Sequence, residues 1–164
     1  MVRAPRGDVA VSPQPQNDRA QGVDEAVLVR ALDETSLREV RHLVRVLLDG
    51  RAGVAVDDAV LVTDELVSNA RRHGEPPRTC RLALVDEARR LRVEVDDTSA
   101  EEPRIRTPDE SGGRGLVIVD TLAEAWGVRH HPGGKTVWAE VVLDRPGGGR
   151  APHLSSAATW AERP

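Results

Sequence analysis

The chain has 164 residues, about the size of one domain, with a formal net charge of −4 and a pI near 5.7; this balance, with no Phe or Tyr, argues against a protein that neutralises many phosphates or stacks bases on aromatic platforms. Its apolar residues are almost wholly Val, Leu and Ala, so the core has to be aliphatic. The lone Cys80 excludes an internal disulfide, no apolar run follows Arg3 and Arg6, and Asp120 and Glu124 interrupt the longest apolar stretch, so a reducing, cytoplasmic setting without a membrane partner is expected.

Residues 1–23 are rich in Pro, Gln, Arg and Asp and are expected to be a disordered leader. The folded body is expected over 24–144. It is followed by a flexible tail, 145–164, that opens on a Pro-Gly-Gly-Gly run. Within the body, residues 26–32 predict a first strand, and Asp33 or Thr35 is placed to cap a helix carrying Leu37, Val40, Val44, Leu47 and Leu48 at spacings of three and four. A second helix is predicted over 57–73, with Val60, Leu61, Val67 and Ala70 inward, stopped by Gly74 and Pro76-Pro77. Residues 80–85 and 91–95 alternate as strands about a turn at 86–89.

The stretch 98–113 holds Pro103, Pro108 and Gly112-Gly113 and predicts a long loop. A third helix follows, with Leu116, Val119, Leu122 and Ala123 on its buried side and Gly127 as its stop; strands over 128–130 and 136–142 complete the body. Strand, two helices, two strands, loop, helix, two strands is not a simple β/α alternation. An α/β fold of the α+β two-layer kind is expected, with a mixed, mainly antiparallel sheet covered by helices on one face.

Three segments carry chemistry. On the second helix, Glu65, Asn69 and His73 are four apart and so share a face, although a polar helix stripe is by itself an ordinary solvated surface. Asp96-Asp97-Thr98-Ser99 ends a strand where the long loop begins; a carboxylate there can accept from an exocyclic amine, and it can equally cap a turn. Ser111-Gly112-Gly113-Arg114-Gly115-Leu116 opens a helix, where bare backbone N–H groups and the helix dipole suit an anion. It is no Walker loop, since no Gly-Lys-Ser or Gly-Lys-Thr closes it.

In this order and at these separations the three segments resemble the N, G1 and G2 boxes of the histidine-kinase-like (Bergerat, or GHKL) ATPases. With Trp126-Gly127-Val128 and 133–138 added, residues 25–143 resemble the RsbW and SpoIIAB type of anti-sigma factor, a type abundant in actinomycetes. The resemblance implies ATP and Mg2+ as cofactors, with Asn69 as metal ligand and Glu65 as general base. It implies that Asp97 reads the adenine amino group with Ser99 beside it, that Gly113, Arg114, Gly115 and Leu116 serve the phosphates, and that Thr136 is the strand hydroxyl near the adenine. Lys135 is given only an electrostatic role. Implied partners are a sigma factor and a STAS-domain anti-anti-sigma protein whose serine is phosphorylated, with no direct nucleic acid, and a homodimer is among the family's expectations. The alternative from another class is an ATP-dependent interaction module that binds partners without phosphoryl transfer.

Overall fold

The structure, a computed structural model, describes residues 27–101 and 114–144. The expected leader, the expected tail and most of the predicted loop, Gly113 included, lie outside the described residues.

The elements run β1 (Val27–Ala31), α1 (Leu37–Leu47), α2 (Val54–His73), β2 (Thr79–Val85), β3 (Arg90–Asp97), α3 (Gly115–Leu122), β4 (Ala125–His131) and β5 (Gly134–Val142). The start of α1 differs from expectation. Ser36 is the N-cap: its hydroxyl accepts from the Glu39 N–H at 3.2 Å while the Glu39 carboxylate accepts from the Ser36 N–H at 2.6 Å, a complete capping box. The carboxylate of Asp33 is instead taken by the Arg78 backbone N–H and guanidinium, and the Thr35 hydroxyl donates back to the Ala31 carbonyl.

Helix α2 starts at Val54, three residues before the predicted position, from Gly53 at φ 92°. Its inward side is Ala59, Val62, Leu66, Val67 and Ala70, with Val60 at its margin, whereas Leu61 is 40% exposed. The long helix lies between two other helices and over the sheet, so its buried side is wider than a single stripe; Leu61 falls on the remaining arc. Helix α3 ends at Leu122 rather than at Gly127. Gly127 lies inside β4, where a Cβ would come within 3.2 Å of the Trp138 indole on the neighbouring strand, so this glycine makes room for a ring.

The five strands form one sheet in the order β1-β2-β3-β5-β4, every neighbouring pair antiparallel. The turn over 86–89 forms as predicted, with Asp86, Glu87 and Ala88 all at positive φ. On the inner face Leu82, Leu91, Val93, Val95, Val137, Ala139 and Val141 join Val40 and Val44 of α1, Leu66 and Val67 of α2, and Val119 of α3 in one aliphatic core. The expected two-layer fold, helices against one side of an antiparallel sheet, is what the chain adopts. The outer face carries a charge lattice: Glu94 lies near Arg81, Arg92 and Arg129, and Glu140 near Arg90 and Arg92. Among the described residues no helix is long and apolar enough to cross a membrane.

Candidate functional site

Strand β3 runs two residues further than the predicted 91–95, so Asp96 and Asp97 belong to the ladder rather than to a turn. Alternation along it buries Leu91, Val93, Val95 and then Asp97, which puts a carboxylate on the helix-covered face at the end of an apolar row. Asp97 is 2% exposed. Its Oδ1 accepts from the Ser99 N–H at 2.8 Å, a local turn that holds the carboxylate, and from Lys135 Nζ at 2.9 Å. The ammonium also reaches the Ser99 carbonyl at 3.4 Å and is itself 3% exposed, so each charge is neutralised where water is scarce.

The neighbouring elements fix this strand end tightly. A Cβ on Gly134, at φ +138°, would lie 2.0 Å from the Asp97 carbonyl oxygen, so only glycine lets β5 begin here. A Cβ on Gly74 would lie 2.6 Å from Asp97 Cγ and 2.8 Å from Oδ2, so the C-terminal end of α2 abuts the carboxylate. Thr98 completes the fastening by donating its N–H to the Glu75 carbonyl and its hydroxyl to that of Pro76.

Helix α2 is the ruler of the site. Nine residues before Gly74, Glu65 meets α3: a Cβ on Gly115 would lie 2.6 Å from Glu65 Oε2. At 1.5 Å per residue the two contacts are roughly 13 Å apart along the axis. Asn69 lies one turn beyond Glu65 on the same face. The Glu65 side chain is 21% exposed with Arg72 at 4.0 Å, whereas the preceding Asp64 turns to α1 and pairs with Arg41 at 2.5 Å. Of these two neighbouring acids, Glu65 is therefore the one that faces α3. On α3, Arg114 is exposed at the N-cap and Leu116 is 5% exposed with its side chain in the core, so only the Leu116 backbone could serve an anion.

Thr136, expected near the adenine, faces away from Asp97. Register pairs Asp97 with Lys135 and Asp96 with Thr136, and the Thr136 hydroxyl donates to Asp96 Oδ1 at 2.5 Å. Successive strand residues face opposite ways, so the residue sharing the inner face with Asp97 is Lys135. A signal for this was present, because Lys135 keeps step with Val137, Ala139 and Val141. His73, His130 and His131 are exposed, and no cluster of three or more metal-ligating side chains occurs among the described residues. Two concavities there, one on the outer sheet face beside Val29 and Arg92 and one beside Asp33 and Ser36, lie apart from Asp97.

The model of the family described as histidine kinase-like ATPase domain matches residues 29–141, which contain every element except the start of β1 and the last residue of β5. No curated protein matches. Among solved structures, the histidine kinase domain from the Erythrobacter litoralis EL346 blue-light activated histidine kinase is similar at 18% identity and a TM-score of 0.43, over 65% of this chain and 59% of that one. The chain thus spans under two thirds of that relative's length.

Proposed function

Since the chain belongs to the histidine kinase-like ATPase domain family, we propose that it binds ATP with Mg2+ and works as an anti-sigma-factor-type serine/threonine kinase. In this reading it phosphorylates a STAS anti-anti-sigma partner and holds a sigma factor when that partner is absent. The observation that carries the catalytic part is the double contact of α2, with Glu65 against the α3 N-terminus at one end and Gly74 against Asp97 at the other.

The residues suit these groups chemically. Asn69 offers an amide oxygen, a hard donor of the kind Mg2+ takes alongside phosphates and water, and Glu65 keeps a free carboxylate one turn away. Asp97 Oδ2 has no hydrogen bond among the described residues, which leaves an acceptor for a base amine. ATP, when bound, supplies the phosphoryl group. Glu65 then takes the proton from an acceptor serine hydroxyl, a task that needs a partly open carboxylate rather than a sealed one. Arg114 is exposed beside Gly115, and in this reading its guanidinium offsets charge near the phosphates. Ser99 orients Asp97 through its N–H.

Sigma factor, STAS protein and serine specificity rest on the resemblance of residues 25–143 to the anti-sigma type. The decisive experiment is transfer of labelled phosphate from ATP to candidate STAS proteins. Glu65→Gln should keep nucleotide binding and lower transfer by 100-fold or more, the scale of a general base (~10²–10⁴). Asn69→Ala should remove magnesium-dependent binding. If the purified protein binds ATP with no phosphate reaching any partner, and Glu65→Gln behaves like the parent, the chain is instead an ATP-dependent interaction module.

A further inference from the structure

Lys135 is the only lysine of the chain, and it is spent on Asp97. A long, strongly hydrated side chain rarely sits at 3% exposure without a reason beyond stability, because a buried ion pair recovers little net free energy over an apolar replacement. The pair is also unfinished. Lys135 Nζ has three N–H groups, of which the described structure occupies two, on Asp97 Oδ1 and the Ser99 carbonyl. Asp97 Oδ1 already accepts two hydrogen bonds, while Oδ2 has none among the described residues. One spare donor and one spare acceptor therefore stand side by side at the end of β3, on the face shared with α2.

We propose that Lys135 is a second base-reading residue, donating directly to N1 of the adenine ring while Asp97 Oδ2 accepts from the N6 amino group. The edge of adenine presents an acceptor next to a donor, the complement of what the pair leaves open. This deepens the ATP reading and rests on it. Lys135 has a second effect: with the Ser99 N–H it holds the Asp97 carboxylate aimed, so the base meets a formed acceptor and little ordering remains to be done on binding. Thr136, on the other face with its hydroxyl on Asp96, takes no part.

The test compares ATP with 1-deaza-ATP, in which a C–H replaces N1 and the N6 amine is kept, by fluorescence or calorimetric titration of the full chain with Mg2+. The unaltered protein should bind 1-deaza-ATP about 10- to 100-fold more weakly than ATP, as for a lost hydrogen bond to a charged donor. Lys135→Met, checked for folding by its thermal transition, should bind ATP more weakly and no longer distinguish the two nucleotides. The comparison on the unaltered protein stands even if that variant does not fold. Equal affinity for both nucleotides, or a Lys135→Met protein that binds ATP as well as or better than the parent, overturns the proposal; the second result would make Lys135 a competitor for Asp97. Failure of the parent to bind either nucleotide overturns the ATP reading itself and this proposal with it.

Discussion

At the scale of single residues, the site is set by side chains that are missing as much as by those present. Gly134 lies so close to the Asp97 carbonyl that a methyl group has nowhere to go, and its positive φ disfavours any L side chain. Gly134→Ala should lower stability by about 1–3 kcal/mol from backbone strain alone, and displacement of the β3 end should add to that. A urea melt measures this, and an unchanged midpoint would mean that β5 starts in another way. Cys80 is the opposite case, a residue with chemistry it does not use. Burial first and the Asp96 charge second push its thiol up to about 12, so it stays a neutral, inert part of the core. The same alternation that buries Cys80 on β2 buries Asp97 on the neighbouring β3: in both cases parity along a strand, not residue type, decides which way a side chain points.

At the scale of elements, α1 depends on its cap. Ser36→Ala should destabilise the domain by about 1 kcal/mol, the usual worth of such an N-cap. The same box makes a pH prediction. The Ser36 hydroxyl, and next its backbone N–H, hold the Glu39 carboxyl below its ordinary 4.5, so the folded form favours the charged state. That stabilisation is complete above the unfolded value and fades as pH falls through the lowered folded value. Melts of Glu39→Gln and its parent should therefore differ near neutrality and converge in acid; a constant difference would remove the titration from the account. Helix α2 has no side-chain N-cap bond at Gly53, and its position comes from packing between α1 and α3 and from the Arg41–Asp64 pair. This explains why the helix begins three residues before the predicted position: propensity and capping rules find a helix end only where a side chain marks it.

At the scale of the whole molecule, one core joins the three helices to the inner face of the sheet. Leu66, 1% exposed on α2, is part of it, and Leu66→Ala should cost about 2–5 kcal/mol while leaving a single cooperative transition. Two separate transitions on heating would show that α2 and the sheet do not melt as one unit. Because α2 links the core to both ends of the site, that variant should also loosen nucleotide binding, whereas changes in the outer charge lattice should not. There the guanidinium of Arg92 stands 4.7 Å from the Trp138 ring centroid and shares Glu94 and Glu140 with its neighbours. These side chains are partly buried, and their ion pairs lie on the sheet face turned away from α2.

What the amino-acid order settled by itself was local: the kind of each element, the two-layer architecture that their order requires, the face shared by Glu65 and Asn69, and the position of Asp97 at a strand end. These follow from periodicity and from Gly and Pro punctuation, which act over a few residues. Only the tertiary structure decided which groups meet across the chain. The register of β3 against β5 chose Lys135 over Thr136 as the companion of Asp97, and the packing of α2 against α3 brought Glu65 to Gly115. Such choices turn on a one-residue shift between segments tens of positions apart, and a shift of one residue turns a strand's side chains to the other face.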